Sequence, residues 1–124
     1  MNNNDLEQLK NLVISFLDFN DDFWNYIKSR IIYVDSNIKG NELFYNTLMK
    51  FDDDNKLIDI KVLIPYIIDL NTALVNVHEL KHAYDLYLKL GEFIEDNTTQ
   101  YEKQAIDKEL EFQKKYINIK KGKR

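Results

Sequence analysis

The two histidines of the chain lie four residues apart, and a glutamate directly follows the first of them. On an α-helix, residues at this spacing lie on one face, so His78 and His82 can both reach a single metal ion. Glu79 then projects beside them toward a water molecule held by that ion. Zinc suits this chemistry because it lowers the pKa of a bound water to about 7, and a carboxylate can then accept the proton. The motif therefore predicts a zinc hydrolase with Glu79 as the general base.

In a chain that contains only two histidines, this motif rarely arises by chance. Placed at random, two histidines in a chain of this length fall four apart about once in sixty times, and requiring the glutamate lowers this chance to about one in a thousand. The competing interpretation is a pair of ordinary helical histidines on a partly buried face. The combination of spacing and residue types favours the metal site.

A zinc site of this kind needs a third protein ligand, and the chain offers two glutamates for it. The position six residues after His82, where some zinc peptidases have a third histidine, holds Leu88, and the chain has no cysteine. In the helix predicted near the C-terminus, Glu102 and Glu109 both fall on the apolar half of the helical wheel. A carboxylate buried there is costly unless a cation meets it, and a zinc ion on the preceding helix would do so.

Glu102 is the preferred third ligand. One turn further along is Ala105, whose small side chain allows two helices to approach closely, whereas Phe112 occupies the same place after Glu109. Against this, Thr99 and Glu102 also form a capping-box pattern, in which the glutamate would only satisfy the start of its own helix. Glu109 is then the remaining candidate. The glutamate that does not bind metal is expected to orient a histidine or to pair with a basic residue.

The composition limits both the fold and the class of protein. With 124 residues, 44% of them hydrophobic, the chain can form one domain, residues 1–124, around a real core. Because cysteine is absent, disulfides, thiolate catalysis and cysteine-bound zinc are excluded. The net charge of -4 is spread along the chain, so we expect no nucleic acid and no membrane as a partner. The first apolar run is too short for a signal peptide or a membrane span, so a cytoplasmic protein is expected.

The first half of the chain is predicted to contain two helices followed by strands. Asn4 and Glu7 fit a capping box that opens a helix over residues 5–19, and the acidic cluster after Asn20 starts a second helix. An acidic turn at residues 52–55 joins two strands as a hairpin. β-branched and aromatic residues indicate three strands in all, over residues 31–34, 43–51 and 57–68.

The second half is predicted to contain two helices. Asn71 is a suitable N-cap for a helix over residues 72–90, which carries both histidines and ends at Gly91. After a polar loop, Thr98 or Thr99 caps a last helix that extends to about residue 117, and residues 118–124 form a flexible basic tail. Helices, a small sheet and two further helices together indicate an α+β fold.

The motif His78-Glu79-x-x-His82, with a glutamate twenty positions further on, resembles that of the gluzincins, the thermolysin-like clan of zinc metallopeptidases. The size and layout are similar to those of minimal single-domain gluzincins, and the resemblance covers about residues 57–110. It implies a zincin-like single domain with N-terminal helices, a small and mainly antiparallel sheet, an active-site helix and a C-terminal glutamate helix.

The resemblance also implies how the site works. Zinc would be held by His78, His82 and Glu102, and Glu79 would serve as base and then as acid in peptide hydrolysis. In such folds an edge strand of the sheet lies over the active-site helix and pairs with the extended substrate. Residues 56–69 match that strand in position and in β-branched content.

Three features depart from the family pattern. Lys81 stands where an uncharged residue is preferred, although a charged stripe that includes Asp85 accounts for it. The family has an aspartate four residues after the ligand glutamate, where this chain has Ile106; Asp85 could replace it by orienting a ligand imidazole, or could form an exposed ion pair. No residue is assigned to stabilise the oxyanion, and tyrosines at helical spacing usually belong to the core. The candidates are Arg30, Tyr66, Tyr84, Tyr87 and Tyr101.

The expected function is a zinc-dependent endopeptidase that hydrolyses an extended peptide or protein segment. The alternative belongs to a different class: a zinc-binding regulatory or interaction module with a zincin fold and little or no turnover. Retention of Glu79 favours the enzyme, because a structural zinc site needs its ligands but no general base.

Overall fold

A computed structural model describes residues 3–34, 45–94 and 99–122 of the chain. Within these residues the fold is α+β, as predicted, with four helices and a small sheet of three strands. The helices are α1 (Asn3–Leu17), α2 (Asp21–Ile27), α3 (Leu70–Tyr87) and α4 (Thr99–Gly122). The strands are β1 (Ile31–Val34), β2 (Asn46–Phe51) and β3 (Leu57–Pro65).

The sheet is mixed, with one parallel and one longer antiparallel pairing, where a mainly antiparallel sheet is predicted. Its strand order is β1-β3-β2, with β3 parallel to β1 and antiparallel to β2. Residues 56–69 are predicted to form the edge strand, but β3 lies in the centre of the sheet and is its most buried strand. The tight turn before β3 places β2 on one side of it, so the other side is free to pair with β1. In the described part of the chain, β2 is an edge strand of the sheet, and it contacts α3.

The hairpin between β2 and β3 is held by the side chain of Asp52. Its carboxylate accepts hydrogen bonds from the backbone amides of Asp54 and Lys56, both at 2.9 Å. Asn55 occupies the left-handed region with φ of 62°, which asparagine tolerates better than most residues. β2 begins at Asn46, and the earlier part of the predicted strand 43–51 lies partly outside the described residues. β3 ends at Pro65, three residues before the predicted end.

The N-terminal helices agree with the prediction except at the two ends of α1. α1 begins at Asn3, so Asn4 lies inside the helix and the predicted capping box is wrong. The helix ends at Leu17, where Asp18 takes a positive φ of 45°. The predicted restart at Asn20 is confirmed, since its side chain accepts a hydrogen bond of 2.8 Å from the amide of Phe23.

The helix that carries the histidines begins earlier than predicted. Its N-cap is Asp69 rather than Asn71, because Asp69 and Thr72 cap each other: the carboxylate accepts from the amide of Thr72, and the Thr72 hydroxyl oxygen accepts from the amide of Asp69. α3 ends at Tyr87, and tighter turns follow as far as Gly91, whose φ is 85°. The amide of Gly91 donates to the carbonyl of Leu57 at 2.7 Å, which ties the end of α3 to the start of β3.

The core lies between the sheet and the helices. α3 packs on β3, on α1 and along α4, so it is the element that joins all parts of the domain.

α4 continues through Gly122, five residues beyond the predicted end, and Lys120 and Lys121 in its last turn suit the negative end of the helix dipole. None of the described helices is both long and apolar enough to cross a membrane. The largest fully buried side chains include Leu9, Val13, Phe23, Ile27, Ile60 and Phe112.

Candidate metal centre

The side of α3 that faces α4 brings the two histidines to one glutamate. One carboxylate oxygen of Glu102 lies 3.0 Å from Nε2 of His78, and the other lies 2.8 Å from Nε2 of His82. Each of the three residues offers one ligand atom, and these atoms all lie within 4.8 Å of one another. His78, His82 and Glu102 therefore form a cluster that could hold a metal ion.

The packing of the two helices explains why these side chains meet. Val77, Leu80 and Ala83 occupy other sides of α3 and are buried, which turns the histidines toward α4. On α4, Ala105 is fully buried, and a residue this small lets the helices approach closely. Glu102 lies at the rim of this contact, where its side chain is 54% exposed, rather than buried as its place on the wheel suggested.

The second candidate glutamate has a different position. Glu109 Oε1 lies 3.4 Å from Nδ1 of His78, on the opposite side of the imidazole from Glu102. Glu102 thus contacts both histidines, whereas Glu109 contacts one. A carboxylate on the second nitrogen of a ligand imidazole fixes the orientation and tautomer of the ring.

The two glutamates also differ in their electrostatics. Burial by itself raises the pKa of Glu102, but the hydrogen bond with His82 and the positive charge that His78 carries when protonated outweigh this effect, so the pKa lies below its ordinary value. For Glu109, burial is again the largest cause, and here the pKa is raised because the opposing contribution of His78 is too small. The repulsion from Glu102 and Glu79 adds to the rise. Glu102 is therefore the more readily ionised of the two.

The motif glutamate contacts the edge strand. Glu79 is only 8% exposed, and its Oε1 lies 3.0 Å from the hydroxyl oxygen of Thr47 on β2. The same hydroxyl lies 3.0 Å from the backbone carbonyl of Glu79, so it can donate to either oxygen. Sequence reasoning missed Thr47, because a single threonine in a strand carries no signal of a contact that only the tertiary fold creates.

A cavity of about 250 Å³ opens beside the cluster, between β2, α3 and α4. Glu102 and His82 form part of its wall, together with Tyr101. Two larger cavities, of about 360 and 320 Å³, contain none of the cluster residues. The cavity that matters for chemistry is therefore the smaller one, because it borders the metal-ligating groups.

Asp85 does not contact either histidine among the described residues. Its Oδ1 lies 2.8 Å from Nζ of Lys81, so the ion-pair interpretation is the one that the structure supports. The pair is largely buried rather than exposed, and Asp85 Oδ2 is buried without a hydrogen-bond partner in the described part of the chain. Such an atom costs free energy in the folded protein.

Four of the five oxyanion candidates contact residues outside the cluster. Arg30 donates to Asp59 at 2.7 Å, and Tyr66 stacks on Tyr33. Tyr84 and Tyr87 belong to an aromatic cluster with Phe19 and Phe23. Tyr101 is the candidate that lines the cavity next to Glu102.

Comparison of the chain with protein families, with curated proteins and with solved structures finds no match. The residues and their geometry are therefore the basis on which a function can be assigned.

Proposed function

We propose that the protein is a zinc-dependent endopeptidase of the gluzincin type with a zincin-like fold. The observation that carries the proposal is the cluster of His78, His82 and Glu102, with Glu79 next to the first histidine on the same helix. Two imidazoles and one carboxylate are the ligand set of catalytic zinc sites that keep a fourth position open for water or substrate.

The residues have separate roles in this proposal. Bound zinc would polarise the scissile carbonyl and lower the pKa of the attacking water. Glu79 accepts a proton from that water and delivers it to the departing amine. The Thr47 hydroxyl, 3.0 Å from Glu79 Oε1, holds the carboxylate in place, and Glu109 orients the His78 ring through Nδ1.

The substrate would lie along β2. An edge strand leaves every second backbone amide and carbonyl free, so an extended segment can pair with it. Thr47 reaches Glu79 from this strand, and Met49 lines the same cavity as His82. A peptide paired with β2 would therefore pass directly over the cluster.

A zinc-binding interaction module is the alternative, and one observation favours it. Glu79 is nearly buried, and Thr47 already contacts one of its oxygens. A carboxylate tied down in this way could serve only to join α3 to the sheet. Turnover is what separates the two functions.

The test combines metal analysis with digestion of a broad peptide library. The wild type should bind about one zinc per chain and cleave, whereas Glu79→Gln should keep zinc and lose about two to four powers of ten in rate, because an amide cannot accept the proton. His82→Ala should lose both, and Glu111→Gln, at an exposed glutamate of α4, should change neither. Zinc binding without cleavage would establish the module, and a wild type that takes up no zinc would reject both functions.

A further inference from the structure

A cavity of about 320 Å³ lies on the opposite side of α3 from the metal cluster. Asn76 and Leu80 line it, and each is two residues from a histidine of the cluster, which on a helix corresponds to opposite faces. α1, α2 and β1 also contribute to its wall. Among the described residues, none is shared with the cavity beside the cluster, so the two cavities are separate.

Aromatic rings line the outer part of this cavity, and aliphatic side chains line its inner part. Tyr33 and Tyr66 are about half exposed and stack with ring centroids 4.5 Å apart, and Trp24 is half-buried. Ile64 and Leu80 are almost fully buried. Pockets of this composition are typical of sites for small organic molecules. Because an apolar cavity of about 150 Å³ holds benzene, one of about 320 Å³ can hold a molecule with two fused rings.

One polar group in the lining has an oxygen without a partner. Asn76 is only 4% exposed, and its Nδ2 donates hydrogen bonds to the carbonyls of Pro65 at 3.0 Å and Thr72 at 2.9 Å. These two bonds use both donors and fix the orientation of the amide. In the described part of the chain, Oδ1 accepts no hydrogen bond, yet the oxygen that is both enclosed and unpartnered there is Oδ2 of Asp85. Oδ1 of Asn76 is therefore open to a donor in the cavity.

We infer that this cavity binds a small planar aromatic molecule with an N–H or O–H donor, of the indole or phenol class. The donor binds Oδ1 of Asn76, and the ring packs against Trp24 and the stacked pair of Tyr33 and Tyr66, where aromatic contacts add to the gain from burial. Lys10 is the charged residue of the lining and disfavours a cationic ligand. Binding here needs no metal, so it goes beyond the proposed function and does not depend on it.

Two probes of the same shape test the donor. Indole and benzofuran have the same fused rings, but benzofuran has an oxygen in place of the N–H. Trp24 is the only tryptophan of the chain, so its side-chain N–H gives a single NMR signal that reports on the cavity. Indole should shift this signal and bind at least about fivefold tighter than benzofuran, because only indole can donate to Asn76. Both affinities should agree within about twofold with and without zinc.

Tyr66→Ala tests the aromatic wall, and Phe93→Ala is its matched control. The two side chains are similarly exposed, at 59% and 61%, but Phe93 does not line the cavity. Tyr66→Ala should weaken indole binding about fivefold, since it removes a ring from the wall, whereas Phe93→Ala should change it by less than about twofold. Both variants should remain folded, because both side chains lie at the surface.

Asn76→Leu tests the acceptor itself. It should abolish the preference for indole, so that the two probes bind within about twofold of each other. This variant also loses the hydrogen bonds to Pro65 and Thr72, so its melting curve is compared with that of the wild type. If the variant does not fold, the comparison of indole with benzofuran on the wild type still decides whether a donor is recognised.

The outcomes separate this site from the metal cluster. An unchanged Trp24 signal at millimolar indole would overturn the site. Equal affinity of the wild type for the two probes would overturn Asn76 as the anchor and the ligand class with it. An equal loss in Tyr66→Ala and Phe93→Ala would place the bound indole outside this cavity. A protein that binds indole as expected but takes up no zinc would keep this site and reject the proposed function.

Discussion

Two sides of helix α3 show opposite ways of using side chains. One side packs through aromatic rings against Phe23 of α2 and against Phe19, which lies between α1 and α2, and the other presents His78 and His82 to carboxylates of α4. The first side contains rings that contribute by packing, whereas the second contains imidazoles that contact carboxylates and could bind a metal ion. The comparison indicates that the first side mainly contributes stability, whereas the second holds the residues that could bind a metal ion.

The aromatic side is closely packed. Phe19 stacks on Tyr84 with ring centroids 4.3 Å apart, and Phe23 meets Tyr84 and Tyr87 edge-on at 5.3 and 5.4 Å. Offset stacks and edge-to-face pairs at these distances add to the free energy gained by burial. Phe23 is fully buried at the centre of this group.

The carboxylates on the two sides differ in the same way. Asp59, which supports the aromatic side through Tyr26, is paired with the permanently charged Arg30. Glu102 and Glu109 face histidines, whose charge depends on pH and which can also bind a metal. In the described part of the chain, neither of these two carboxylates forms an ion pair with a lysine or an arginine.

The largest effect should come from the aromatic side. Phe23→Ala should lower the free energy of unfolding by about 3–5 kcal/mol, because it leaves a cavity among rings that cannot collapse. Denaturant unfolding measures the loss, and zinc affinity below the melting temperature should change by less than about twofold. Phe93→Ala, at an exposed phenylalanine, should cost less than about 0.5 kcal/mol. A large loss of zinc affinity in Phe23→Ala would show that the two sides are not independent.

The intermediate effect concerns the two glutamates of α4. Glu102→Ala should weaken zinc binding at least about a hundredfold, because it removes a group that contacts both imidazoles. Glu109→Ala should weaken it only about tenfold, since this residue contacts Nδ1 of His78 alone. Zinc titration measures both, with Glu111→Ala as the exposed control.

The possible results of these titrations separate three arrangements. A loss of zinc in Glu109→Ala but not in Glu102→Ala would exchange the two roles while two histidines and a glutamate remain the ligands. Tight binding in both variants would place the third ligand elsewhere. A loss of about 1 kcal/mol in stability with unchanged zinc affinity would leave Glu102 with a capping role only.

The sequence contained most of the information about the cluster. The spacing of His78 and His82 and the position of Glu102 on a helical wheel follow from helix geometry alone, so they could be predicted locally. The start of α3 was missed because Asp69 and Asn71 are both good N-caps, and only the reciprocal contact with Thr72 decides between them.

The arrangement of the sheet could not be derived in the same way. The position of a strand in a sheet depends on which other strands pair with it, and such pairings join residues that are distant in the sequence. The sequence therefore places β3 at an edge although it is central, and it does not identify Thr47, which lies on β2 at one edge of the described sheet. The exposure of Glu102 could not be predicted for a related reason. A helical wheel gives the direction of a side chain, but it does not show how far the contact between α3 and α4 extends around the helix.

The smallest effect should come from the ion pair on the aromatic side. The hydrogen bond from Arg30 is the main cause that holds the pKa of Asp59 below its ordinary value; burial opposes this shift, and the bond from Tyr26 supports it. A carboxyl group whose pKa is lower in the folded protein stabilises the fold fully above its unfolded pKa of about 3.9, and this contribution is lost as the pH falls through the folded pKa.

Asp59→Asn should therefore lower the free energy of unfolding by about 1 kcal/mol at pH 7, because it removes the charge and keeps an oxygen that can accept from Tyr26 and Arg30. The difference from the wild type should shrink as the pH is lowered from about 5 toward 2, since the wild-type carboxylate becomes protonated over this range. Denaturant unfolding at several pH values measures it, with Asp53→Asn, in the exposed turn, as the control substitution. A difference that stays constant with pH would mean that Asp59 acts through hydrogen bonding alone and that its negative charge contributes nothing to stability.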